Sequence, residues 1–467
     1  MKMWSGRFRQ PLDPEFERWQ RSFGFDRRLL RYELLASGAH ATALKNAGVL
    51  SAGELISVLQ GLEQIGEKAA ASAAFLEDDE AEDVHHFVEK QLVALIGELG
   101  YKLHSGRSRN EQIATDLRLY VRAAIDQLRE ELAELCGVFV DRAEQAGDAA
   151  IPAYTHLQRA EPVLVGHWLL AYVEMFLRDA ERLADCRKRL NVCPLGSGAV
   201  AGATLPLDRT LMADKLGFAA PTLNSIDATS DRDFAIEFVQ ALCLLALHLS
   251  RWAEEMILFS SQEYCFVELP EAYSTGSSAM PQKKNPDLLE LVRGKTGRVI
   301  GNATALMVAV KGLSLAYNKD LQETQEPLLD SADTLLQMLP LVTGWMKAVE
   351  LHLETMQKTA DSGFMNAWAA ATYLVKHGVP SRLAHERIGK AVQMCLERNC
   401  ELKDLSHQDL QSLSPAFGED FRQSLTLPAV LAAHDVAGGT APGRVRQAIG
   451  AARKEIESLR EEVHAHA

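Results

Sequence analysis

Apolar residues in the middle of the chain recur every three or four positions over unusually long distances. The first such series lies between about Asn110 and Glu144. Its members are Ile113, Leu117, Tyr120, Val121, Ile125, Leu128, Leu132, Leu135 and Phe139. This spacing predicts one face of a helix that is roughly 50 Å long at 1.5 Å per residue. Because intrinsic propensity does not hold a helix of this length, we expect packing partners along all of it.

Four further patterns of the same kind predict long helices. They run from Glu161-Pro162 to about Leu190, from just after SDRD (Ser230–Asp233) to about Ser260, from Pro286 onward, and from near Pro327 onward. The third of the five helices is apolar on nearly all sides, which predicts a helix inside an assembly rather than on its surface. Five long helices in succession are typical of a helix bundle.

The regions on either side of the bundle read as shorter, more broken helices, and glycine and proline interrupt the pattern repeatedly after residue 362. No alternating runs predict a sheet. The sequence therefore predicts an all-α fold with three domains. These are an N-terminal helical domain (1–106), a central long-helix bundle domain (107–361) and a small C-terminal helical domain (362–467).

Composition is that of an ordinary water-soluble protein. The chain has 467 residues, of which 47% are hydrophobic and 24% charged. The net charge of −14 disfavours general binding to nucleic acid or to anionic membranes, although a local cationic cleft remains compatible with an anionic substrate. Seven scattered cysteines without a CxxC motif predict reduced thiols, and we expect a cytoplasmic protein without a signal segment.

The stretch TGSSAMPQKKNP, from Thr275 to Pro286, places hydroxyls, two lysines and an amide directly before a predicted helix. Proline and glycine block regular structure here, and Pro286 is well suited to a helix start. The free backbone N–H groups and the helix N-terminus favour an anion. This loop is therefore a candidate site for a carboxylate or for an enolate-like charge that develops during a reaction.

Two other polar stretches also precede predicted helices. In LHSGRSRNEQIATD (Leu103–Asp116), Arg107 and Arg109 offer guanidinium groups to carboxylates, although a plain helix start with Asn110 as N-cap explains the residues equally well. In YTHLQRAEP (Tyr154–Pro162), His156 becomes a candidate acid or base if a carboxylate orients it, and Glu290 is the candidate partner.

Three weaker signals are set aside. GSGAVAG (Gly196–Gly202) imitates a dinucleotide-binding fingerprint but lacks a βαβ context. Asp83, His85 and Glu89 in the acidic segment have no recognised ligand spacing, so a solvated face is the better interpretation and no metal site is predicted. There is no GxSxG or Walker motif.

The motifs together resemble a known family. GSSAMPQKKNPD (Gly276–Asp287) is similar to the signature of the fumarase/aspartase superfamily. Within that superfamily the chain resembles the argininosuccinate lyases, over about residues 3 to 450. The motifs that carry this closer resemblance are MWSGRF at residues 3–8, HSGRSRNEQIATDLRL (His104–Leu119), YTHLQRAEPV, NSIDATSDRD (Asn224–Asp233) and LAYNKDLQE (Leu315–Glu323).

The resemblance implies a fold, an activity and an assembly. Members of the family split argininosuccinate into arginine and fumarate, the last step of arginine biosynthesis, without a cofactor. They are homotetramers in which the long helices form a twenty-helix core and three chains contribute to each active site. The predicted helix lengths agree with active sites shared between chains, since the first helix would separate Asn110 from His156 by tens of ångströms within one chain.

The resemblance also implies site residues. Ser277 and His156 correspond to the two proton-transfer positions, Lys283 stabilises charge and Glu290 orients His156; which of Ser277 and His156 is the base stays open. Substrate-binding positions are Ser22, Asn110, Thr155, Arg232, Asn285, Tyr317 and Gln322. Gln325 replaces a lysine that holds a substrate carboxylate in the family, whereas Ser105 and Glu111 replace threonine and aspartate, which are milder changes.

Two alternatives are weighed beside this interpretation. Another lyase of the superfamily, acting on adenylosuccinate, shares AlaMetPro at 279–281 but not GRSRN or QKKNPD. A non-catalytic structural protein is the other alternative, but His156 and Ser277 are both retained.

Overall fold

The computed structural model describes residues 10–465, so the MWSGRF stretch at residues 3–8 lies outside the described residues. The chain divides into two compact units. Unit 1 contains the chain up to Gln127, Arg182–Cys243 and Arg298–Thr334, and unit 2 contains Leu128–Glu181, Leu244–Gly297 and the chain from Leu335 onward. The boundaries fall inside the long helices, so each unit contains part of every long helix.

Short helices form the N-terminal region, as predicted. They are α1 (Pro14–Trp19), α2 (Phe23–Asp26), α3 (Leu30–Asn46), α4 (Ala52–Ala71) and α5 (Val84–Ile96). Local sequence explains where they begin and end. Ser51 and Glu54 form a capping box at the start of α4. Asp83 accepts a hydrogen bond from the N–H of His86 at the start of α5, which ends at Gly97 with φ of 64°.

The first long helix is confirmed, but its cap is not the predicted one. The next elements along the chain are α6 (Arg109–Gln145), β1 (Ala150–Thr155), β2 (Gln158–Leu164) and α7 (Val165–Leu190). The alternative that made Asn110 the N-cap is wrong, because α6 already begins at Arg109 and the carbonyl of Ser108 accepts the N–H of Gln112 at 3.3 Å.

The second long helix starts at Val165, later than predicted. Residues 158–164 pair with 150–155 as an antiparallel hairpin, and Pro152 faces Pro162 where neither residue can donate a hydrogen bond. The expectation of no sheet is therefore wrong at this point. All the sheets of the described residues are two-stranded.

The remaining long helices begin where the patterns place them. The elements of this part are β3 (Val192–Cys193), α8 (Arg209–Lys215), β4 (Ala220–Pro221), α9 (Ser225–Ser230), α10 (Asp233–Ser260), β5 (Val267–Glu268), β6 (Thr275–Gly276), β7 (Lys284–Asn285), α11 (Asp287–Val310) and α12 (Gln325–Ala348). Strands β3 and β4 are parallel, whereas β6 and β7 are antiparallel.

Shorter helices return in the C-terminal region. The elements are β8 (Glu350–Leu351), α13 (Leu353–Ala360), α14 (Ala367–Lys376), α15 (Ser381–Arg398), α16 (His407–Leu413), α17 (Phe421–Ser424), α18 (Leu427–Ala433) and α19 (Pro442–His464). Strand β8 pairs antiparallel with β5. In unit 2, Leu374, Ile388, Phe417 and Phe421 belong to one buried cluster of α14 to α17.

Buried aromatic side chains also hold unit 2 together, where Trp252 and Trp345 meet edge to face at 5.2 Å between ring centroids. In unit 1, Leu119, Met212 and Phe218 belong to a cluster that joins α3, α6 and α8. All seven cysteines are free, as predicted.

Two long helices keep apolar residues on their exposed faces. Leu244 and Leu247 of α10 are 39% and 41% exposed, and Leu291 of α11 is 57% exposed. By length and composition α10 could cross a membrane, but half of its apolar window is buried and core helices pass the same test, so this is weak evidence for a membrane. A single chain leaves these faces uncovered.

Candidate active site

The loop from Thr275 to Pro286 folds as a small hairpin before α11. Thr275 pairs with Asn285 and Gly276 with Lys284. Asp287, the first residue of α11, accepts hydrogen bonds from the Thr275 N–H at 3.1 Å and from its hydroxyl at 2.6 Å. These hydrogen bonds lower the pKa of the Asp287 carboxyl, and the bond from the Thr275 hydroxyl has the largest effect on that pKa. The Asn285 amide donates to the Thr275 hydroxyl at 3.3 Å, so the base of the hairpin is internally bonded.

Ser277 lies at the turn of this hairpin, half-buried. Its Oγ accepts two backbone hydrogen bonds, from Ala279 N–H at 3.2 Å and from Met280 N–H at 3.1 Å. Two donors that converge on one oxygen stabilise negative charge on it, which is the arrangement of an oxyanion hole. Lys283 is exposed in the same loop. The loop backbone thus supplies two hydrogen-bond donors to the candidate proton-transfer oxygen.

Thr155 and His156 lie at the tip of the β1–β2 hairpin rather than directly before a helix, because β2 intervenes. His156 has a positive φ of 54° and is exposed. Glu290 is exposed in the first turn of α11. Neither the imidazole of His156 nor the carboxylate of Glu290 has a hydrogen-bond or ion-pair partner among residues 10–465, so the predicted orienting contact between the two side chains is not formed within one chain.

Arg232 provides a buried and only partly hydrogen-bonded guanidinium inside unit 1. The side chain is only 1% exposed and Nη1 donates to the carbonyl of Asp231 at 2.8 Å. Nε and Nη2 are buried without a hydrogen-bond partner. Burial lowers the pKa of Arg232 to about 10, and the nearby Tyr317 opposes that shift. Because a buried guanidinium needs hydrogen-bond acceptors, the free edge suits a carboxylate ligand.

The segment that contains Ser22 gathers other predicted residues of unit 1. The Ser22 N–H donates to the carbonyl of Glu82 at 2.9 Å, and its hydroxyl donates to Asp26 at 2.5 Å. Burial raises the pKa of Asp26 to about 7. The Gln322 amide donates to the carbonyl of Gln20 at 3.1 Å, two residues before Ser22.

Contacts of Glu82 extend this cluster. Its carboxylate lies 3.4 Å from Nη1 of Arg109 and 3.7 Å from Nζ of Lys319. Arg109 adjoins Asn110, and Lys319 follows Tyr317 by two residues. Burial raises the pKa of Tyr317, and Arg232 is the largest opposing influence. Arg232 and Tyr317 are thus electrostatically linked to each other, and Tyr317 to Arg109 and Glu82. Ser22, Asn110 and Gln322 belong to the same unit and are joined to these stretches by backbone contacts or by adjacency in the chain.

Arg107 and Arg109, the guanidinium groups singled out in the sequence, contact protein carboxylates instead of lying open. Arg107 Nη2 lies 3.7 Å from Glu33, and Arg109 Nε lies 3.0 Å from Asp83. By contrast, Nε and Nη2 of Arg232 have no hydrogen-bond partner among the described residues.

The acidic segment does not form the considered cluster of Asp83, His85 and Glu89. Asp83 pairs with Arg109, and Glu89 lies 3.6 Å from His104. His85 instead contacts Glu33 at 2.8 Å and Asp116 at 3.7 Å, all three buried.

These three groups lie close enough to hold a metal ion. However, Glu33 also accepts from Ser37 at 2.6 Å and from Gln112 at 3.0 Å. Burial and the adjacent Glu33 raise the pKa of Asp116, which favours its neutral form. Glu33 is therefore the hydrogen-bonded centre of this group.

Gln325, which departs from the family pattern, is the first residue of α12. It is 2% exposed and its Oε1 has no hydrogen-bond partner. A buried amide at the N-terminus of a long helix lies where an anion is favoured.

The predicted site residues therefore form two groups. Unit 1 contains Ser22, Asn110, Arg232, Tyr317 and Gln322, and unit 2 contains Thr155, His156, Ser277, Lys283, Asn285 and Glu290. Sequence reasoning missed that the Gly196–Gly202 loop contacts Asn110. The three glycines were a usable signal of an unusual backbone, but no local pattern indicated the contact.

Comparisons with known proteins agree along the whole chain. A family model described as "Lyase" matches residues 6–301, and one described as "Argininosuccinate lyase C-terminal" matches residues 364–432. The argininosuccinate lyase of Koribacter versatilis is 59% identical over 467 residues, covering 100% of both chains. That of Acidobacterium capsulatum is 57% identical over 464 residues, covering 98% of this chain and 96% of the relative.

Solved structures agree on the fold. EDDS lyase in complex with formate has a TM-score of 0.86 at 26% identity and covers 98% of this chain and 93% of its own. The 3-carboxy-cis,cis-muconate lactonizing enzyme of Pseudomonas putida has a TM-score of 0.73 at 20% sequence identity. The match covers 96% of this chain and 100% of that enzyme's chain, and at this identity it shows similarity of fold alone. By the two matching family models and the full-length identity to its relatives, this chain belongs to the argininosuccinate lyase family.

Proposed function

We propose that this chain cleaves argininosuccinate reversibly into L-arginine and fumarate, as the last step of arginine biosynthesis. It is a carbon–nitrogen lyase of the amidine-lyase class. The observation that carries the mechanism is the pair of backbone N–H groups that converge on Ser277 Oγ. The reaction needs a strong base held at neutral pH, and a stabilised serine oxygen can serve as one.

The chemistry has two steps. A base removes a proton from the succinyl carbon next to a carboxylate, and the electron pair moves into that carboxylate to give an aci-carboxylate carbanion. The electron pair of the aci-carboxylate then returns to form the C=C bond of fumarate while the C–N bond breaks, the C–N pair leaves with the guanidine nitrogen, and an acid protonates that nitrogen. Ser277 and His156 are the two proton-transfer groups, and their assignment as base and acid stays open. Lys283 supplies positive charge to the carbanion.

The second group of residues would bind the substrate. The two free nitrogens of Arg232 match a carboxylate as a bidentate pair. Tyr317 lies near Arg232, and Ser22, Asn110 and Gln322 belong to the same unit, whereas Thr155 and Asn285 belong to unit 2 with His156 and Ser277. Glu290 would orient His156 when a neighbouring chain brings the two together.

A homotetramer with a twenty-helix core is part of this proposal. The exposed apolar residues on α10 and α11 support it, since water-exposed faces of this kind favour association. Helix α6 has 37 residues, so roughly 50 Å separates its first turn, with Asn110, from its last turn, after which His156 follows. We infer that one site takes these residues from different chains. The three-domain division and a cytoplasmic location complete the proposal.

Mixing inactive variants tests the shared site. At an argininosuccinate concentration below the wild-type KM, Asn110→Ala chains, with a raised KM, and His156→Asn chains, with a lowered kcat, are each expected to release little fumarate. Dissociating and reassembling them together should restore part of the activity, because some mixed sites contain neither change. Each variant treated alone is the control. If mixed oligomers are confirmed but are as inactive as the parent variants, active sites shared between chains are contradicted. If the wild-type protein releases no fumarate, the proposed activity itself is contradicted.

A further inference from the structure

The Gly196–Gly202 loop has one tightly defined shape. Gly196, Gly198 and Gly202 have φ values of 86°, 59° and 92°, which other residues rarely adopt. The N–H of Gly202 donates to the carbonyl of Ser197 at 2.9 Å, which closes the loop on itself. A Cβ on Gly198 would lie 2.9 Å from the Gly202 carbonyl oxygen, so side chains there would open the loop.

Glu111 joins this loop to the start of α6. Its side chain is fully buried. One carboxylate oxygen accepts from the Ser108 N–H at 2.9 Å, and the other accepts from the Gly198 N–H at 3.1 Å. The carboxylate therefore bridges the first turn of the helix and the centre of the loop. A buried acceptor with two fixed donors holds both backbones in place.

The loop in turn reaches the side chain of Asn110. Asn110 Nδ2 donates to the carbonyl of Ala199 at 3.4 Å, directly after Gly198. The hydroxyl of Ser225 donates to the carbonyl of Val200 at 2.8 Å and anchors the other side of the loop tip. The rotation of the Asn110 amide thus depends on where the loop lies, and the loop position depends on Glu111.

We propose that Glu111 is a positioning residue for substrate binding, which holds the Gly196–Gly202 loop against α6 so that the loop orients the Asn110 amide. The inference rests on the proposed function, in which Asn110 contacts substrate. Glu111 itself acts only through the loop. Loss of the bridge should therefore weaken substrate binding without removing a proton-transfer group.

Glu111→Gln tests the bridge because it preserves size but replaces one acceptor oxygen with an NH₂ group. One of the two backbone N–H donors then faces another donor. We expect KM for argininosuccinate to rise on the order of tenfold, as for loss of a hydrogen bond to a charged group, with kcat changed less than about threefold. Glu111→Asp keeps a carboxylate and should restore KM to within about threefold of wild type.

A double-mutant cycle with Asn110→Ala separates this inference from the proposed site. If the loop acts through Asn110, Glu111→Gln raises KM no further in the Asn110→Ala background. An unchanged KM in Asn110→Ala alone would overturn the site assignment itself. If KM rises in Asn110→Ala but is unchanged in Glu111→Gln, only the positioning role is overturned. The same holds if the effects of the two substitutions on KM are fully additive in the double variant.

Should Glu111→Gln fail to fold, Ser225→Ala takes its place, because it frees the loop tip at a half-buried position outside the core. The KM of Ser225→Ala for argininosuccinate is also expected to rise, by about threefold for the loss of one neutral hydrogen bond. An unchanged KM in Ser225→Ala would then overturn the proposal.

Discussion

The N–H of Met280 donates a hydrogen bond to Oγ of Ser277 across 3.1 Å, within a hairpin that the same chain closes at its base. The donor and acceptor are three residues apart, so this contact needs no other part of the fold. In the proposed mechanism, these donors would hold charge on the serine before substrate arrives, which is how preorganised donors lower a barrier.

Ser277→Ala should lower kcat by about 10²–10⁴-fold, since it removes a proton-transfer group. The change lies in a loop outside the core, so the melting temperature should stay within a degree or two of wild type. Fumarate release, followed by ultraviolet absorbance, measures the loss. The matched control is Ser278→Ala, an exposed neighbour in the same loop. Equal activity in the two variants would refute the role of Ser277.

His156→Asn should cause a comparable fall in kcat with an intact fold. Asparagine tolerates the positive φ of 54° at this position better than most residues do, so the hairpin turn is preserved. The control is His385→Asn, on the exposed surface of α15. Near-native fumarate release by His156→Asn, with circular dichroism unchanged, would exclude His156 from proton transfer.

Arg232→Lys should raise KM for argininosuccinate roughly 10–100-fold. An ammonium cannot reproduce the two free guanidinium nitrogens, and a hydrogen bond to a charged group contributes about 1.5–3 kcal/mol. Steady-state kinetics measure the change, and Arg189→Lys on the exposed face of α7 is the control. A wild-type KM in Arg232→Lys would show that the free edge does not bind the substrate.

Gln325→Lys should lower KM severalfold, because an ammonium at the start of α12 would meet a substrate carboxylate in place of an amide. Without ligand the buried charge lies beside the positive end of the helix dipole, so the melting temperature should fall. Fumarate should then raise the melting temperature more than it does for wild type. Gln325→Leu, which removes the amide without adding charge, should raise KM. A higher KM in Gln325→Lys than in Gln325→Leu would refute a substrate carboxylate at this position.

His40 should make unit 1 sensitive to acid. Burial lowers the pKa of its imidazole to about 3, and its Nε2 lies 3.0 Å from the carbonyl oxygen of Ser105. Between pH 6.5 and 3 the unfolded chain binds a proton that the folded chain does not, so stability falls as pH falls. From pH 6.5 to 5 this loss is about 2 kcal/mol.

His40→Gln should flatten that pH dependence. Denaturant unfolding at pH 7 and pH 5 measures the slope, and His385→Gln on the surface is the control for loss of an imidazole. An equal slope in wild type and His40→Gln would show that His40 does not titrate below its ordinary range.

The long helices are the part of the fold that sequence determined directly. Periodicity placed α6 and α10 almost to the residue, because each buries one face along its whole length and no other element competes for its backbone. Where competition exists, the prediction failed. Residues 158–164 read as the start of a helix, yet they pair with β1 because the hairpin satisfies their backbone groups across the chain.

The candidate site likewise has a part that the sequence predicts and a part that only the folded structure decides. Motif resemblance proposes Ser277 and Arg232 as site residues from the sequence by itself, because both lie within the short stretches that carry the resemblance. Only the tertiary structure decided which guanidinium stays open, because the carboxylates that occupy Arg107 and Arg109 come from residues distant in sequence. The bridge from Glu111 to Gly198 spans 87 positions of the chain, and no local pattern encodes a contact that only folding brings within hydrogen-bond distance.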